Sequence, residues 1–179
     1  MNSRWPYYAP LIILGVLVSY FAASLGQNPA EVKSVLINKT VPEFALPPIE
    51  GHFNGFSSSD LKGDIVLVNI FGSWCVACRI EHPFLMQLKE TNTIPIYGID
   101  WREPDRTAGP KWLKKYGNPY TRIGDDPKSL GAIAFGVTGA PETFIVDENG
   151  IIRFKHIGPI TKKNWNKNFR PILEELEKK

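Results

Sequence analysis

The stretch Ser73-Trp74-Cys75-Val76-Ala77-Cys78 contains both cysteines of the chain. An apolar run, residues 65–71, comes directly before it, and apolar side chains recur every three or four positions over residues 80–88. A short continuous apolar run is typical of a buried strand, whereas the second spacing is typical of a helix. The sequence therefore predicts a strand, a turn and a helix, with two thiols at the turn.

The spacing of the two thiols predicts a redox pair. A cysteine in the first turn of a helix faces unpaired backbone N–H groups and the positive end of the helix dipole, which favour its thiolate. Because the thiolate is the nucleophile in disulfide exchange, Cys75 is the predicted attacking residue. Cys78, one turn further, is placed to attack a mixed disulfide on Cys75 and release the reduced partner. This predicts a thiol:disulfide oxidoreductase that needs no cofactor beyond its own disulfide.

Three other interpretations compete for the cysteines. A purely structural disulfide would close a very short loop and would remove little entropy from the unfolded chain. Zinc could take Cys75, Cys78 and His82 as three of its four ligands, but the chain has only two further histidines and no second cysteine pair. No metal is therefore predicted. Haem attachment would require histidine at the position of Arg79.

Residues 1–26 are predicted to be an uncleaved membrane anchor. The run from Tyr7 to Leu25 is almost wholly apolar, and Arg4 is the only charged residue in this part of the chain. At about 1.5 Å per helical residue, such a run just crosses the roughly 30 Å hydrocarbon core of a bilayer. A cleaved signal peptide is the alternative, although its apolar core is usually shorter. With Arg4 inside, the rest of the chain lies outside the cytoplasm.

Downstream of the anchor, residues 27–40 are predicted to be a polar linker and residues 41–179 a single domain. A domain of this length buries a sufficient core by itself. The chain has 21 Lys and Arg residues against 18 Asp and Glu residues. This balance is too even to indicate nucleic-acid binding.

Hydrophobic patterning predicts an α/β domain in which strands and helices alternate. The predicted strands are residues 41–46, 65–71, 94–101, 142–146 and 151–156. The predicted helices are residues 80–88, 105–116, 130–135 and 165–176. Asn149-Gly150 indicates a hairpin between the last two strands, and Gly117 ends the second helix.

This order of elements resembles thioredoxin. Pro141 opens a strand after two glycines, which makes the Ala140–Pro141 bond a candidate cis peptide, with an ordinary trans proline as the alternative. The resemblance implies a central mixed sheet flanked by helices, with a helix and a strand inserted between the C-x-x-C helix and the proline strand. It also implies that Ala140 and Pro141 lie against the dithiol and bind the extended segment of the substrate.

Two strings narrow the resemblance to the CcmG/DsbE family, the membrane-tethered thioredoxins of cytochrome c biogenesis. They are Trp74-Cys75-x-x-Cys78-Arg79-x-Glu81-His82 and Gly136-Val-x-Gly-Ala-Pro-Glu-Thr-Phe144. The resemblance covers about residues 35–179. It implies reduction of a disulfide in apocytochrome c or in the haem-ligation machinery, with electrons from a membrane-embedded thiol reductase. It further implies a location on the periplasmic face of the bacterial inner membrane.

The family resemblance assigns roles to two acidic residues. Thioredoxin has a buried acid six positions before its first cysteine, and here that position is Asn69, which cannot accept a proton. The resemblance implies that Glu81 and Glu142 flank the dithiol and tune the pKa of its thiols. A nearby carboxylate raises the pKa of a thiol, whereas a helix N-terminus lowers it. For Glu81, a solvated charge on the helix face is the alternative.

Aromatic residues around the dithiol are predicted to contact the substrate. Trp74 is expected to shield one side of the dithiol, with core packing as the alternative. The inserted residues 100–126, including Tyr120, are expected to shape a partner groove or to cover the core of the sheet. Arg102 and Glu103 are interpreted as part of a solvated loop.

Two other functions remain open from the sequence. One is a general periplasmic thioredoxin-like reductase or oxidase, and the other is a non-catalytic docking or zinc-holding module. Alkylation separates the second from an active pair, because an active pair has one fast-reacting thiol and a metal site reacts only after chelation.

Overall fold

The computed structural model describes residues 5–25, 35–51 and 54–178. The chain divides into two units, residues 1–32 and residues 33–179. Much of the predicted linker, residues 27–34, lies outside the described residues.

The first unit contains one described helix, α1, Trp5–Leu25. Within the described part of the chain, no helix combines the length and the apolar character that crossing a membrane requires. The anchor predicted for residues 1–26 is thus not confirmed.

The second unit is built on a five-stranded mixed sheet. The strands described in this unit are β1, Ala45–Leu46; β2, Phe56–Ser57; β3, Val66–Phe71; β4, Ile96–Trp101; β5, Arg122–Asp126; β6, Glu142–Val146; and β7, Ile152–Ile157. The order in the main sheet is β5-β4-β3-β6-β7, and β1 and β2 form a separate ribbon. β3 and β5 pair with β4 in parallel, whereas β6 pairs antiparallel with both β3 and β7. This confirms the predicted central mixed sheet.

Helices cover the sheet and include the predicted insertion. They are α2, Val76–Glu90; α3, Ala108–Tyr116; α4, Leu130–Ala134; α5, Lys162–Asn164; and α6, Arg170–Leu176, with a π-helical turn between α5 and α6. α3 and β5 form the inserted helix and strand. α3 begins three residues later than predicted because the Asp105 side chain accepts hydrogen bonds from the Thr107 N–H and hydroxyl, a local turn that competes with the helix. It ends at Gly117, where φ is 94°.

β3 is buried on both faces. Leu67 and Phe71 lie in a cluster with Leu85 of α2, whereas Val68 and Ile70 lie in the cluster on the other face. Successive side chains of a strand point to opposite faces, so Asn69 shares the α2 face with Leu67 and Phe71. The one polar residue of the predicted buried run is therefore directed towards the helix that carries the cysteines.

Contacts of the domain begin upstream of the boundary predicted at residue 41. The Asn38 N–H donates to the Ile152 carbonyl at 2.7 Å, and the Ile152 N–H donates to the Lys39 carbonyl at 3.0 Å. Leu36 and Ile37 pack against the core. Part of the predicted linker thus extends the sheet along β7.

Candidate active site

Cys75 and Cys78 form a disulfide at the N-terminus of α2. The sulfur atoms are 2.07 Å apart and the Cα atoms 5.3 Å apart. Cys75 is the N-cap residue of α2, and its Sγ accepts a hydrogen bond from the Cys78 N–H at 3.0 Å. Because that N–H and the helix dipole also stabilise a negative charge on Cys75, the geometry favours the Cys75 thiolate after reduction.

The Ala140–Pro141 peptide lies at the same end of the sheet as the disulfide. β3 ends four residues before Cys75, and its Ile70 pairs with Glu142, the first residue of the antiparallel β6. The peptide bond before Pro141 is cis, as the sequence predicted. Ala140 packs against the core cluster that contains both cysteines. The fold therefore brings the predicted substrate-binding pair to the dithiol end of the sheet.

Glu81 is buried one helical turn beyond Cys78 rather than solvated on the helix face. It lies three residues beyond Cys78 on α2 and is 1% exposed, and residues at this spacing are neighbours on one helix face. Its Oε1 accepts a hydrogen bond from Asn69 Nδ2 at 2.9 Å, and its Oε2 accepts one from the Ile160 N–H at 2.8 Å. Burial raises the pKa of Glu81 from 4.5 to about 7, although these two donors oppose the rise. Its carboxyl group is therefore able to exchange a proton near neutral pH.

Glu142 organises the loop that precedes the cis-proline. Its Oε1 accepts hydrogen bonds from the Thr138 N–H at 2.9 Å, from the Thr138 hydroxyl and from the Gly139 N–H at 3.2 Å. Its Oε2 is 3.0 Å from the Nζ of Lys155. Both side chains of this ion pair are buried, at 0% exposure for Glu142 and 6% for Lys155. The described contacts of the Glu142 carboxylate are thus with the loop and with Lys155.

Comparison with known proteins identifies the family. The Redoxin family matches residues 36–170. The chain is 39% identical over 168 residues to the thiol:disulfide interchange protein DsbE of Pseudomonas aeruginosa, which covers 93% of this chain and 92% of that protein. It is 35% identical over 175 residues to DsbE of Escherichia coli K12, with 94% of each chain covered. The chain belongs to the DsbE/CcmG family.

Solved structures show the same fold. A Chlorobium tepidum protein assigned as DsbE superposes with a TM-score of 0.67 at 25% identity, covering 78% of this chain and 97% of that chain. A secreted disulfide oxidoreductase of Mycobacterium tuberculosis has a TM-score of 0.60 at 19% identity, covering 72% and 95%, and this likeness shows the fold alone. The DsbE/CcmG resemblance read from the sequence is confirmed, and the chain is a thioredoxin-like thiol:disulfide oxidoreductase.

In this DsbE-family domain, Trp74 lines a surface groove beside the disulfide. The indole is 47% exposed, so it is not a core residue, and its Nε1 donates to the Trp101 carbonyl at 3.1 Å. Trp74, Trp101, Arg102 and Pro104 line a cavity of about 360 Å³. Trp74 lies close over Gly72, where any side chain would collide with the indole. The predicted contact of Trp74 with the substrate stays a prediction.

The interpretation of Glu103 as a solvated loop residue is wrong. Both oxygens of its carboxylate accept hydrogen bonds from Ser73, Oε1 from the N–H and Oε2 from the hydroxyl at 2.5 Å. The Asp100 carboxyl group interacts with that of Glu103 and is 2% exposed. Burial is the main cause that raises the pKa of Asp100, and the carboxyl group of Glu103 raises it further. Asp100 therefore holds its proton at neutral pH. Ser73 is thus tied to the loop that follows β4.

The zinc alternative finds no support in the described part of the chain. There, no three His, Cys, Asp or Glu residues are grouped so that they could hold a metal ion. The cysteines bond to each other, and His82 Nε2 lies 3.1 Å from the Gly117 carbonyl oxygen instead. His82 packs edge-on against the Trp112 ring, at 4.4 Å between ring centroids.

Sequence reasoning missed three residues of this DsbE-family site. They are Tyr120, whose hydroxyl donates to Asn69 Oδ1 at 2.7 Å, Glu103 and Lys155. Only Asn69 offered a signal, because a polar side chain in a buried strand must find hydrogen-bond partners. Two of those partners, Tyr120 and Thr143, lie 51 and 74 residues from Asn69 along the chain, so the local sequence did not identify them.

Proposed function

We propose that this DsbE-family protein is a reductant in cytochrome c maturation. It reduces the disulfide of apocytochrome c, or of the haem-ligation machinery, and receives electrons from a membrane-embedded thiol reductase. The observation that carries the proposal is the buried Glu81 one turn beyond Cys78 in a chain 39% identical to a DsbE. A group able to accept the proton of the resolving thiol is what a dithiol reductant requires.

The reduction proceeds in two exchange steps. The Cys75 thiolate attacks one sulfur of the partner's disulfide, forms a mixed disulfide and expels the other partner sulfur as a thiolate. Cys78 then gives its proton to the Glu81 carboxylate and attacks Cys75 Sγ, which forms the Cys75–Cys78 disulfide and expels the second partner sulfur. Two electrons have passed from the dithiol to the partner.

The charge near the dithiol supports a reductant over an oxidant. A strong disulfide oxidant is one whose reduced form is stabilised. Val76 and Ala77 between the cysteines carry no charge, and an ionised Glu81 opposes a second negative charge on Cys78. The dipeptide therefore adds nothing to the stabilisation that the helix N-terminus gives the reduced form, and an ionised Glu81 works against the ionisation of Cys78.

The proposal places the domain on the periplasmic side of the bacterial inner membrane, held by residues 1–26. Its support is the sequence, in which the apolar run from Tyr7 to Leu25 follows a single basic residue, Arg4. Membrane fractionation of the full chain tests the anchor, because carbonate extraction releases a protein that has no membrane-spanning segment.

Trapping the partner tests the function. A Cys78→Ser variant keeps the attacking thiol but cannot resolve the mixed disulfide, so it accumulates covalently bound partners that mass spectrometry identifies. We expect apocytochrome c or a haem-ligation protein, and no adduct with the Cys75→Ser/Cys78→Ser control. A broad set of unrelated periplasmic proteins would instead indicate a general thioredoxin-like reductase.

The reduction potential of the dithiol gives an independent test. A reductant fed by a dedicated donor is expected at or below roughly −200 mV, on the thioredoxin and glutaredoxin side of the scale. A value near about −120 mV would make the protein an oxidant and would contradict the proposal.

A further inference from the structure

A buried hydrogen-bond network connects Tyr120 to Glu81 through Asn69. The Tyr120 hydroxyl lies 2.7 Å from Asn69 Oδ1, and Asn69 Nδ2 lies 2.9 Å from both Glu81 Oε1 and Thr143 Oγ1. All four side chains are at most 4% exposed. In this arrangement the Asn69 amide uses both of its N–H donors and its oxygen.

The direction of these hydrogen bonds follows from the groups at each end. Burial and nearby carboxyl groups raise the pKa of Tyr120, so the phenol keeps its proton and can donate it. An ionised Glu81 can only accept hydrogen bonds, and it therefore requires the amide nitrogen of Asn69 to face it. A donor on the opposite side of the amide holds the oxygen of Asn69 away from Glu81.

We propose that Tyr120 is a positioning residue for disulfide exchange: its hydroxyl fixes the Asn69 amide so that the amide donates to the Glu81 carboxylate beside the resolving cysteine. Tyr120 has this role only if Glu81 accepts the Cys78 proton, as in the proposed function. Tyr120 comes from the segment after α3, and its hydroxyl donates to Asn69 rather than to a cysteine, so it acts on the exchange only through Asn69 and Glu81.

Without the Tyr120 hydroxyl, the amide loses the partner that specifies its orientation. A half-turn of the Asn69 amide changes its shape very little but directs Oδ1 towards Glu81, which disfavours the ionised carboxylate. Even without that rotation, the Asn69 amide has lost the hydrogen bond that fixes its oxygen, so its N–H donates a weaker hydrogen bond to Glu81. Since a hydrogen bond to the charged form favours that form, either change raises the pH at which Glu81 takes up a proton from solvent. At a pH below that midpoint, a smaller fraction of Glu81 is ionised and able to accept the proton of Cys78.

Few titratable groups face Glu81. Cys78 and His82 lie on the same helix, Tyr120 comes from the segment after α3, and Asp100 of β4 acts on Tyr120. The partners from β3 and from the segment before α5 are the neutral amides of Asn69 and Ile160. The pH dependence of the resolving step is therefore expected to follow Glu81.

Single-turnover oxidation of the reduced full chain by dithiobis-nitrobenzoate tests the role of Tyr120. The first nitrothiobenzoate is released when Cys75 attacks the reagent, and the second when Cys78 displaces it from Cys75. Each release is followed by absorbance from pH 5 to 9. The two cysteines supply the two electrons, and the products are the protein disulfide and two nitrothiobenzoates.

For Tyr120→Phe we expect an unchanged first phase and a second phase whose pH midpoint rises by about one unit. On the acid side of the midpoint, the second phase is then about tenfold slower than in the wild type. Tyr97→Phe is the matched control, because it removes a phenol hydroxyl of a largely buried side chain, 9% exposed, on the neighbouring strand β4. It is expected to leave both phases unchanged.

A double variant separates positioning from a general structural effect. In a Glu81→Gln background, the rate of the second phase no longer depends on the titration of residue 81. Adding Tyr120→Phe is therefore expected to cause no further change in that rate. If Tyr120→Phe folds poorly, Asn69→Ala is the second test. It removes the amide that donates to Glu81, so it should raise the midpoint of the second phase in the same way.

Three outcomes would contradict either the role of Tyr120 or the role of Glu81 on which it depends. An unchanged second phase in Tyr120→Phe, or an equal slowing of both phases, would overturn the positioning role alone. Additive effects of Tyr120→Phe and Glu81→Gln would show that Tyr120 does not act through Glu81. A Glu81→Gln variant with the wild-type pH profile would instead overturn the proposed proton acceptor, on which the role of Tyr120 depends.

Discussion

At the scale of single residues, Glu81 carries a carboxyl group whose ionisation the fold opposes. Burial raises its pKa from 4.5 to about 7, and the N–H donors of Ile160 and Asn69 only partly offset the rise. The folded protein therefore binds this proton more tightly than the unfolded chain does. Its contribution to stability is fully present below about pH 4.5 and is lost as the pH rises to about 7.

This residue predicts a specific pH dependence of stability. Between pH 4.5 and about 7, Glu81 should lower the free energy of unfolding of the oxidised protein by roughly 3 kcal/mol in total. In a Glu81→Gln variant, the free energy of unfolding should not show this fall with pH. The variant should therefore be more stable than the wild type above about pH 7. Denaturant unfolding at a series of pH values measures both curves.

Glu90→Gln is the control for this measurement, because Glu90 is an exposed residue of the same helix. Its curve is expected to follow that of the wild type. Parallel wild-type and Glu81→Gln curves across the window would contradict the raised pKa of Glu81.

At the scale of structural elements, the loop after β4 holds the segment before Cys75. Glu103 accepts two hydrogen bonds from Ser73, and Trp74 donates one to the Trp101 carbonyl. A Glu103→Ala variant is expected to lose about 2 kcal/mol of unfolding free energy, because hydrogen bonds to a charged group are removed. Hydrogen exchange should show faster exchange of the Ser73 amide than in the wild type.

The exposed Glu148 provides the control for the Glu103 variant. Glu148→Ala should leave the protection of the Ser73 amide unchanged. Equal protection in Glu103→Ala and wild type would show that the loop after β4 does not hold Ser73.

The loop before the cis-proline depends on a second element, strand β7. Lys155 of β7 pairs with Glu142 Oε2 at 3.0 Å and donates to the Gly136 carbonyl at 2.7 Å. Lys155→Met leaves a buried carboxylate without its cation, so we expect a loss of about 3 kcal/mol of unfolding free energy. Denaturant unfolding of the oxidised protein measures this loss.

The double variant Lys155→Met/Glu142→Gln completes the cycle. It should be less destabilised than the sum of its single variants, because neither charge remains unpaired in the core. Strictly additive losses would mean that the two residues do not act as a pair.

At the scale of the whole molecule, residues 36–40 belong to the domain. They bond to Ile152 and pack against the core on the side of β7. A chain that starts at residue 41 should therefore be less stable than one that starts at residue 33, by roughly 3 kcal/mol for two backbone hydrogen bonds and two partly buried side chains. Thermal unfolding of the two chains compares them, and equal midpoints would place the boundary at residue 41 after all.

Much of the fold follows from local patterns in the sequence. The apolar run before Cys75 predicted β3, the periodic residues after Cys78 predicted α2, and the cis peptide was expected at Pro141. These features depend on residues close together in the chain, whose spacing and backbone preferences are visible in the sequence. The start of α3 was misplaced because the Asp105 side chain forms a competing turn.

The environment of the dithiol was decided by the tertiary structure. The sequence by itself determined a dithiol at a helix N-terminus and its thioredoxin-like frame. Only the packed sheet brings Tyr120 to Asn69, Asn69 to Glu81, and Lys155 to Glu142. Whether an acidic residue is solvated or buried depends on what covers it, and burial is what moves its pKa. The positions of the thiols were therefore visible in the sequence, whereas the groups that control their protons were not.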